Sequence, residues 1–222
     1  MKTLIRVPRP KRIEMKAILF DMDGTLIDTR DYIVRTINET YAEIGLETRT
    51  NEEWVQEIRD GVGMKAYMRQ KGIENRYDEF KDTYTKNYSA GLSGTKIIKG
   101  IDKLLEELDS EGIKTGLYTL AYRPMMNAAL ERFGLKIDCA VAKDDVEKPK
   151  PHPEQVMLLC KRLGVRPEET IAVGDLECDI LCGKSAGTKT AGVLTGFGTK
   201  KEFMRTKPDW VLESATQVIE LK

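Results

Sequence analysis

The 222-residue sequence has little of several features that mark common classes of protein. No apolar run approaches the roughly 20 residues that a membrane-spanning helix needs, and no signal-peptide core is evident at the N-terminus. The 36 basic and 36 acidic side chains cancel, which leaves no basic excess to attract nucleic acid or an anionic membrane surface. The sequence therefore predicts a cytoplasmic protein that binds neither nucleic acid nor membrane.

Cysteine and histidine, the usual zinc ligands of proteins, are also scarce. Four cysteines are present, none in the CxxC spacing of a structural zinc site. We expect them to be reduced thiols with structural roles. The single histidine, His152, precedes a proline, so we expect a helix N-terminus or turn there rather than a general base.

Five short apolar runs have the character of buried parallel strands. They are residues 17–20, 115–118, 137–142, 171–173 and 190–194. Apolar residues at helical spacing lie between most of these runs. Strands alternating with helices are typical of βαβ units, in which helices cover both faces of a parallel sheet. The sequence therefore predicts an α/β fold with a Rossmann-like parallel sheet core.

One connection in this pattern is too long. A βαβ unit needs about 30 residues, and residues 100–113 already supply a crossover helix before the second strand. The surplus, residues 31–94, has helical periodicity throughout and predicts a helical cap domain inserted after the first strand. The core domain would comprise residues 15–30 and 95–222. Residues 1–14 carry five basic side chains and form a basic N-terminal extension.

Carboxylates follow two of the predicted strands. Asp21 and Asp23 stand two apart after the first strand, so both would face one site, and Gly24 permits a sharp turn. Asp175 follows the strand at 171–173. Parallel strands in such sheets direct their carboxyl ends to the ligand site. Carboxylates gathered there would repel one another unless a hard cation joined them, so the pattern predicts a Mg²⁺ site.

Two further residues fall at the same edge of the predicted sheet. Thr119 closes the strand at 115–118, where a hydroxyl and backbone N–H groups suit phosphate oxygens. Lys148 stands in the proline-rich segment 147–151, where a rigid loop could aim a positive charge at the carboxylates. Lys150 lies in the same segment and is interpreted as an ordinary solvated lysine, so we assign it no role at the site.

Taken in chain order, residues 21–25, Thr119, Lys148 and residues 175–179 resemble the four motifs of the haloacid dehalogenase-like superfamily. The sequence looks most like its phosphoglycolate phosphatase and β-phosphoglucomutase branch, whose helical cap is inserted directly after the first motif. The resemblance covers nearly the whole chain from Met15. It implies a haloacid dehalogenase-like core with a helical cap.

The resemblance also implies roles for individual residues. Asp21 would attack phosphorus and form an aspartyl-phosphate, which splits one difficult displacement into two easier ones. Asp23 would protonate the leaving alcohol and then deprotonate the water that cleaves the intermediate. Thr119 and Lys148 would hold the phosphoryl oxygens. Dehalogenases of the superfamily usually lack an acid where Asp23 stands, which favours phosphoryl transfer.

The metal ligands implied by the resemblance come from the two carboxylate motifs. Mg²⁺ would be held by Asp21, by the backbone carbonyl of Asp23 and by Asp175. Asp179 would orient a water on the metal rather than bind the metal itself.

A loop of the cap is a candidate for substrate recognition. Gly61 and Gly63 could allow a close backbone approach to a ligand, and Arg59 could hold an anionic group of the substrate. A simple turn between two helices is an equally good interpretation of the two glycines. Leu120, which follows Thr119, replaces the small polar residue that this branch often has, so the local substrate contacts are open.

The leading hypothesis is a Mg²⁺-dependent phosphatase for a small phosphorylated metabolite, either phosphoglycolate-like or a sugar phosphate. One alternative is a phosphomutase, which would return the phosphoryl group to the same sugar. Another is a non-catalytic module that accepts a phosphoryl group, although the long cap and Asp23 count against it. The sequence leaves monomer and homodimer both open.

Overall fold

The computed structural model describes residues 15–221, so the expected basic extension at 1–14 lies outside the described residues. Eight strands occur in the described part of the chain: β1 Ala17–Phe20, β2 Ile27–Asp28, β3 Lys96–Ile97, β4 Lys114–Tyr118, β5 Cys139–Val141, β6 Thr170–Gly174, β7 Lys189–Val193 and β8 Trp210–Leu212. Nine α-helices accompany them: α1 Arg30–Glu43, α2 Asn51–Asp60, α3 Met64–Gln70, α4 Tyr77–Gly91, α5 Ile101–Ser110, α6 Arg123–Phe133, α7 Glu154–Leu163, α8 Glu177–Ala186 and α9 Lys200–Thr206.

Six of the strands form one parallel sheet in the order β5-β4-β1-β6-β7-β8. The predicted α/β class with a parallel sheet is thus confirmed, and all five predicted strands are present. The run at 137–142 yields only a three-residue strand, and the side chain of Asp138, just before it, accepts the backbone N–H of Thr115. The last strand, β8, was not among the five predictions.

Alternating residues of the central strand β1 enter two different hydrophobic clusters. Ile18 and Phe20 pack with residues of α5 and α6, whereas Ala17 and Leu19 pack with residues of α7 and α8. Side chains of a strand point alternately to its two faces, so a strand covered on both sides must be apolar throughout. This explains the continuous apolar run of β1, all of whose residues are fully buried.

Register places the ends of three strands side by side. Phe20 of β1 pairs with Leu117 of β4 and with Val173 of β6. The residues that follow these strands therefore emerge at one edge of the sheet. The functional side chains lie at that edge.

Helices α1 to α4 lie between β2 and β3 and are called the insertion below. The strands β2 and β3 pair as a short antiparallel ribbon. They share an aromatic core in which Trp54 contacts Tyr41 and Tyr67 edge-on. A capping box of Thr50 and Glu53 opens α2, with the Glu53 N–H donating to the Thr50 hydroxyl. The division into a cap domain at 31–94 and a core domain around it stays a prediction. No helix within residues 15–221 is both long and apolar enough to cross a bilayer.

Candidate active site

Asp21 is the first residue after β1, and its backbone N–H donates to the carbonyl of Val173, 2.8 Å away. The side chain is buried. It lines a cavity together with Ile33, Ile58 and Tyr84 of the insertion. One carboxylate oxygen accepts a hydrogen bond from Lys150 Nζ at 2.6 Å, and the other accepts from the Thr25 hydroxyl at 3.3 Å. These contacts fix the orientation of the carboxylate at the end of the central strand.

Asp23 lies in the tight turn after Asp21, where Gly24 adopts a φ of 79°. Its carboxylate accepts a 2.6 Å hydrogen bond from the Tyr88 hydroxyl, and Tyr88 belongs to α4 of the insertion. Burial raises the pKa of Asp23 above its ordinary value, although the hydrogen bonds from Tyr88 and Thr29 oppose the shift. A carboxyl group with a raised pKa is suited to exchanging protons near neutral pH.

Asp175 lies in the β6–α8 connection, and Asp179 lies in the first turn of α8. Asp175 accepts the backbone N–H of Phe197 at 2.7 Å, and Asp179 accepts the N–H of Leu176 at 2.9 Å. Gly196 packs so closely that a Cβ there would lie 2.0 Å from a carboxylate oxygen of Asp175. Only a residue without a side chain leaves Asp175 in this position.

Carboxylate oxygens of Asp21, Asp175 and Asp179 all lie within 4.8 Å of one another, and all three residues are buried. Burial, opposed by Lys150 and reinforced by the neighbouring carboxylates, raises the pKa of Asp21 to about 7. Burial and the charges of Asp21 and Asp179 also raise the pKa of Asp175. Three buried acids with one lysine leave negative charge that a divalent cation would balance, so this all-oxygen donor set fits Mg²⁺. The side chain of Asp23 is not part of this group.

The lysine beside these carboxylates is Lys150 rather than Lys148. Lys150 Nζ donates to Asp21 and Asp179, at 2.6 Å each, and its side chain is only 2% exposed. Burial lowers the pKa of Lys150, but the two carboxylates outweigh it and the pKa ends well above its ordinary value. Lys148 is exposed on the loop surface. The expectation that Lys148 holds the charged position is therefore corrected to Lys150.

Backbone contacts explain this choice between the two lysines. The Lys150 N–H donates to the side-chain carbonyl of Gln155, whose amide group donates in turn to the Thr119 carbonyl. Gln155 is fully buried and ties the Lys150 backbone to the strand ends. The Lys148 N–H instead donates to Glu154 at the outer start of α7. Both lysines precede a proline, so the local sequence alone does not distinguish them.

Thr119 lies where the sequence placed it, directly after β4 and almost fully buried. Its backbone N–H donates to the Val141 carbonyl at 3.2 Å, and its hydroxyl accepts the Ala121 N–H at 3.0 Å. The hydroxyl proton can still be donated to a ligand in the adjacent cavity. Leu120, the residue that departs from the family pattern, also lines this cavity.

The predicted recognition loop does not reach this cavity. Arg59 donates from Nε to the Phe197 carbonyl at 2.7 Å and lies 3.9 Å from the Glu202 carboxylate. Gly61 ends α2 with a φ of 67°, and Gly63 precedes α3 with a φ of 74°. The structure thus favours a helix–helix turn for the glycines. Arg59 links the insertion to the core through Nε and does not line this cavity.

His152 is exposed in the turn before α7, and its backbone N–H donates to the Pro149 carbonyl. It does not line the cavity beside the carboxylates. The expectation of a turn residue therefore fits its position.

Two contacts at the site had no signal in the sequence. The Tyr88 hydroxyl donates a hydrogen bond to Asp23, 65 positions away in the chain. Phe197 packs its ring among the aromatic residues of the insertion while its amide holds Asp175. Neither contact could be found from local pattern, because the partners are 65 and 22 positions apart in the chain.

Comparisons with known proteins agree with this architecture. Residues 18–193 match the family model described as haloacid dehalogenase-like hydrolase. A pyrophosphatase PpaX from Anoxybacillus flavithermus is 32% identical over 213 residues, which cover 94% of this chain and 97% of the relative. A phosphoglycolate phosphatase from Aquifex aeolicus is 31% identical over 211 residues, which cover 93% and 96%.

Solved structures show the same fold. A hydrolase from Pseudomonas syringae superposes with a TM-score of 0.82 at 22% identity, covering 93% of this chain and 97% of that one.

Proposed function

Because the chain belongs to the haloacid dehalogenase-like hydrolases, we propose that it is a Mg²⁺-dependent phosphatase that hydrolyses a small phosphomonoester through Asp21. The predicted family and the hydrolase class are confirmed by the matches along the chain. The residue roles, the metal and the substrate that follow are proposals.

The geometry of Asp21 is the observation that carries the proposal. Its carboxylate is buried at the end of the central strand, and both oxygens are oriented by hydrogen bonds from Lys150 and Thr25. It also lines a cavity of about 160 Å³ that Thr119 shares. An oriented carboxylate facing a cavity is suited to attack phosphorus in line and to form an aspartyl-phosphate.

Asp23 lines the same cavity, where its carboxylate accepts a hydrogen bond from Tyr88. In its protonated form it would donate to the leaving alcohol, and as a carboxylate it would then take a proton from the attacking water. The raised pKa of Asp23 fits a group that must hold and release a proton in one catalytic cycle. Tyr88 keeps the carboxylate in place between the two steps.

The metal would be held by Asp21 and Asp175 together with the backbone carbonyl of Asp23. Bound Mg²⁺ would neutralise charge that develops on the phosphoryl oxygens. Asp179 has both carboxylate oxygens engaged, by Lys150 and by the Leu176 N–H. It would therefore hold Lys150 and nearby water in place.

Lys150 and Thr119 would hold the phosphoryl group. The Lys150 ammonium is already desolvated and fixed by two carboxylates, so it needs no reorganisation when negative charge develops in the transition state. Helices of the insertion cover the site, with Tyr88 and Arg59 joining them to the core. Such a cover excludes bulk water while the substrate reacts.

The decisive experiment compares the wild-type enzyme with Asp21→Asn on a panel of small phosphate esters. We expect Mg²⁺-dependent release of inorganic phosphate from the wild type and a loss of at least about 10³-fold in the variant, because the nucleophile is removed. Asp28→Asn, an exposed site on β2, is the matched control and should keep full activity.

Other outcomes separate the alternatives. Full Mg²⁺-dependent activity in Asp21→Asn would refute the proposal. An isomeric sugar phosphate in place of inorganic phosphate would indicate a phosphomutase. A stable phosphorylated Asp21 without turnover would indicate a non-catalytic module.

A further inference from the structure

The cavity beside Asp21 is lined by two chemically different sets of residues. The polar set consists of the carboxylates, Thr119 and Lys150. Most of the other lining side chains are hydrophobic and come from the insertion, from the loop after β4, from α6 and from the β6–α8 and β7–α9 connections: Ile33, Ile58, Leu120, Met125, Leu176 and Phe197. These six side chains are called the apolar wall below. A phosphoryl group held by the polar set would leave the apolar wall to face its leaving group.

Within residues 15–221, Lys150 is the only basic side chain that lines the cavity. Its ammonium group is already bonded to Asp21 and Asp179. Arg59, the nearest candidate from the sequence, is turned to the Phe197 carbonyl. A second negative charge on the substrate, whether a carboxylate or another phosphoryl group, would lie against hydrophobic side chains without a described cationic partner.

One polar group interrupts the wall. Tyr84 of α4 lines the cavity, and no hydrogen bond of its hydroxyl to another part of the described chain is found. Its ring stacks on Phe80 and tilts against Tyr88, which holds it in place. The hydroxyl can therefore accept or donate one hydrogen bond to a bound molecule.

We propose that the leaving group of the substrate is a short, uncharged and largely apolar alcohol, with Tyr84 as its one polar contact. This rests on the proposed phosphatase function and narrows its substrate. Burying an unpaired charge against an apolar wall is strongly unfavourable, whereas burying alkyl groups there is favourable. The cavity volume of about 160 Å³ is below the roughly 300–1,000 Å³ of typical ligand pockets, which favours a short leaving group.

Phosphoglycolate carries a carboxylate and pyrophosphate a second phosphoryl group, so both would be poor substrates.

The first test measures kcat/KM for four phosphate compounds with Mg²⁺: n-propyl phosphate, glycerol 3-phosphate, phosphoglycolate and pyrophosphate. We expect propyl phosphate to exceed phosphoglycolate and pyrophosphate by at least about tenfold, since the latter two must bury a second charge. Glycerol phosphate, with two hydroxyls and one polar partner, should lie between them. A preference for phosphoglycolate or pyrophosphate overturns the inference.

The second test adds a cation to the wall. Ile58→Lys adds an ammonium to the apolar lining of the cavity. It should raise the ratio of phosphoglycolate to propyl phosphate kcat/KM by at least about tenfold, because the second negative charge then has a partner. Met157→Lys is the matched control, since Met157 is 54% exposed on α7 and does not line the cavity. It should leave the ratio unchanged.

The outcomes separate this inference from the proposed function. Absence of turnover on all four compounds in the wild type counts against the phosphatase itself. If turnover depends on Asp21 but kcat/KM is highest for a substrate with a second charge, the proposed phosphatase function stands. The apolar wall is then refuted as the determinant of substrate preference. An unchanged ratio in a folded Ile58→Lys variant, checked by its circular dichroism spectrum, refutes it as well.

Discussion

Replacing Lys150 by Met should disable the enzyme, whereas replacing Lys148 by Met should not. Both lysines precede a proline in one short loop, so the two substitutions are chemically identical. Only Lys150 is buried, with Nζ 2.6 Å from Asp21 and 2.6 Å from Asp179. The pair therefore tests the contact itself and not the loop.

The expected size of the effect follows from the environment of Lys150. Removing a preorganised positive charge from a buried site lowers kcat by about 10²–10³-fold, which corresponds to about 2.7–4 kcal/mol in the activation barrier. Removing one partner of a buried ion pair also lowers the free energy of unfolding by about 3–5 kcal/mol, because the remaining carboxylates stay buried. Substituting exposed Lys148 should change that free energy by less than about 0.5 kcal/mol.

Phosphate release at saturating ester and Mg²⁺ gives kcat for both variants, and urea unfolding gives their stability. The measurements should be made well below the unfolding midpoint of Lys150→Met, with its folded state checked by near-ultraviolet circular dichroism. A Lys148→Met enzyme that loses activity a hundredfold, beside a Lys150→Met enzyme that keeps it, would refute the assignment.

Two other contacts give independent predictions. Tyr88→Phe should lower kcat/KM for an alkyl phosphate by about 10–100-fold, which is the cost of losing a hydrogen bond to the charged Asp23. The same substitution should change kcat/KM for p-nitrophenyl phosphate by less than about threefold, because nitrophenolate leaves without protonation. Glu169 has a pKa of about 2, lowered from its ordinary 4.5 by hydrogen bonds from Arg166 and Lys16. Its stabilising effect is present above about pH 4.5 and is lost as the pH falls toward 2, so Glu169→Gln should flatten the dependence of Tm on pH in that interval.

Each of these has a control. Tyr41→Phe removes a hydroxyl that donates to the Met64 sulfur within the insertion, and it should not alter the ratio between the two esters. An equal loss on both esters in Tyr88→Phe would mean that Tyr88 supports the fold and not proton transfer. For Glu169, identical slopes of Tm against pH in wild type and Glu169→Gln between pH 2 and 4.5 would contradict the assigned pKa.

Local sequence determined much of the sheet and the acidic half of the site. Continuous apolar runs of four or five residues can be buried on both faces only as central strands, so β1, β4 and β6 could be read directly. The carboxyl ends of parallel strands must meet at one edge. Asp21, Thr119 and Asp175 therefore come together for a reason that the sequence contains.

Tertiary structure alone decided the contacts that join distant segments. Lys150 and Asp21 are 129 positions apart, and Arg59 and Phe197 are 138 apart. Which of two neighbouring lysines turns inward depends on the buried Gln155 and not on the proline pattern around them. The apolar wall facing Asp21 has the same origin, since Ile58 and Leu176 become neighbours of the cavity only when the insertion packs on the core. Periodicity reports which side of a helix is buried, but packing determines what that side faces.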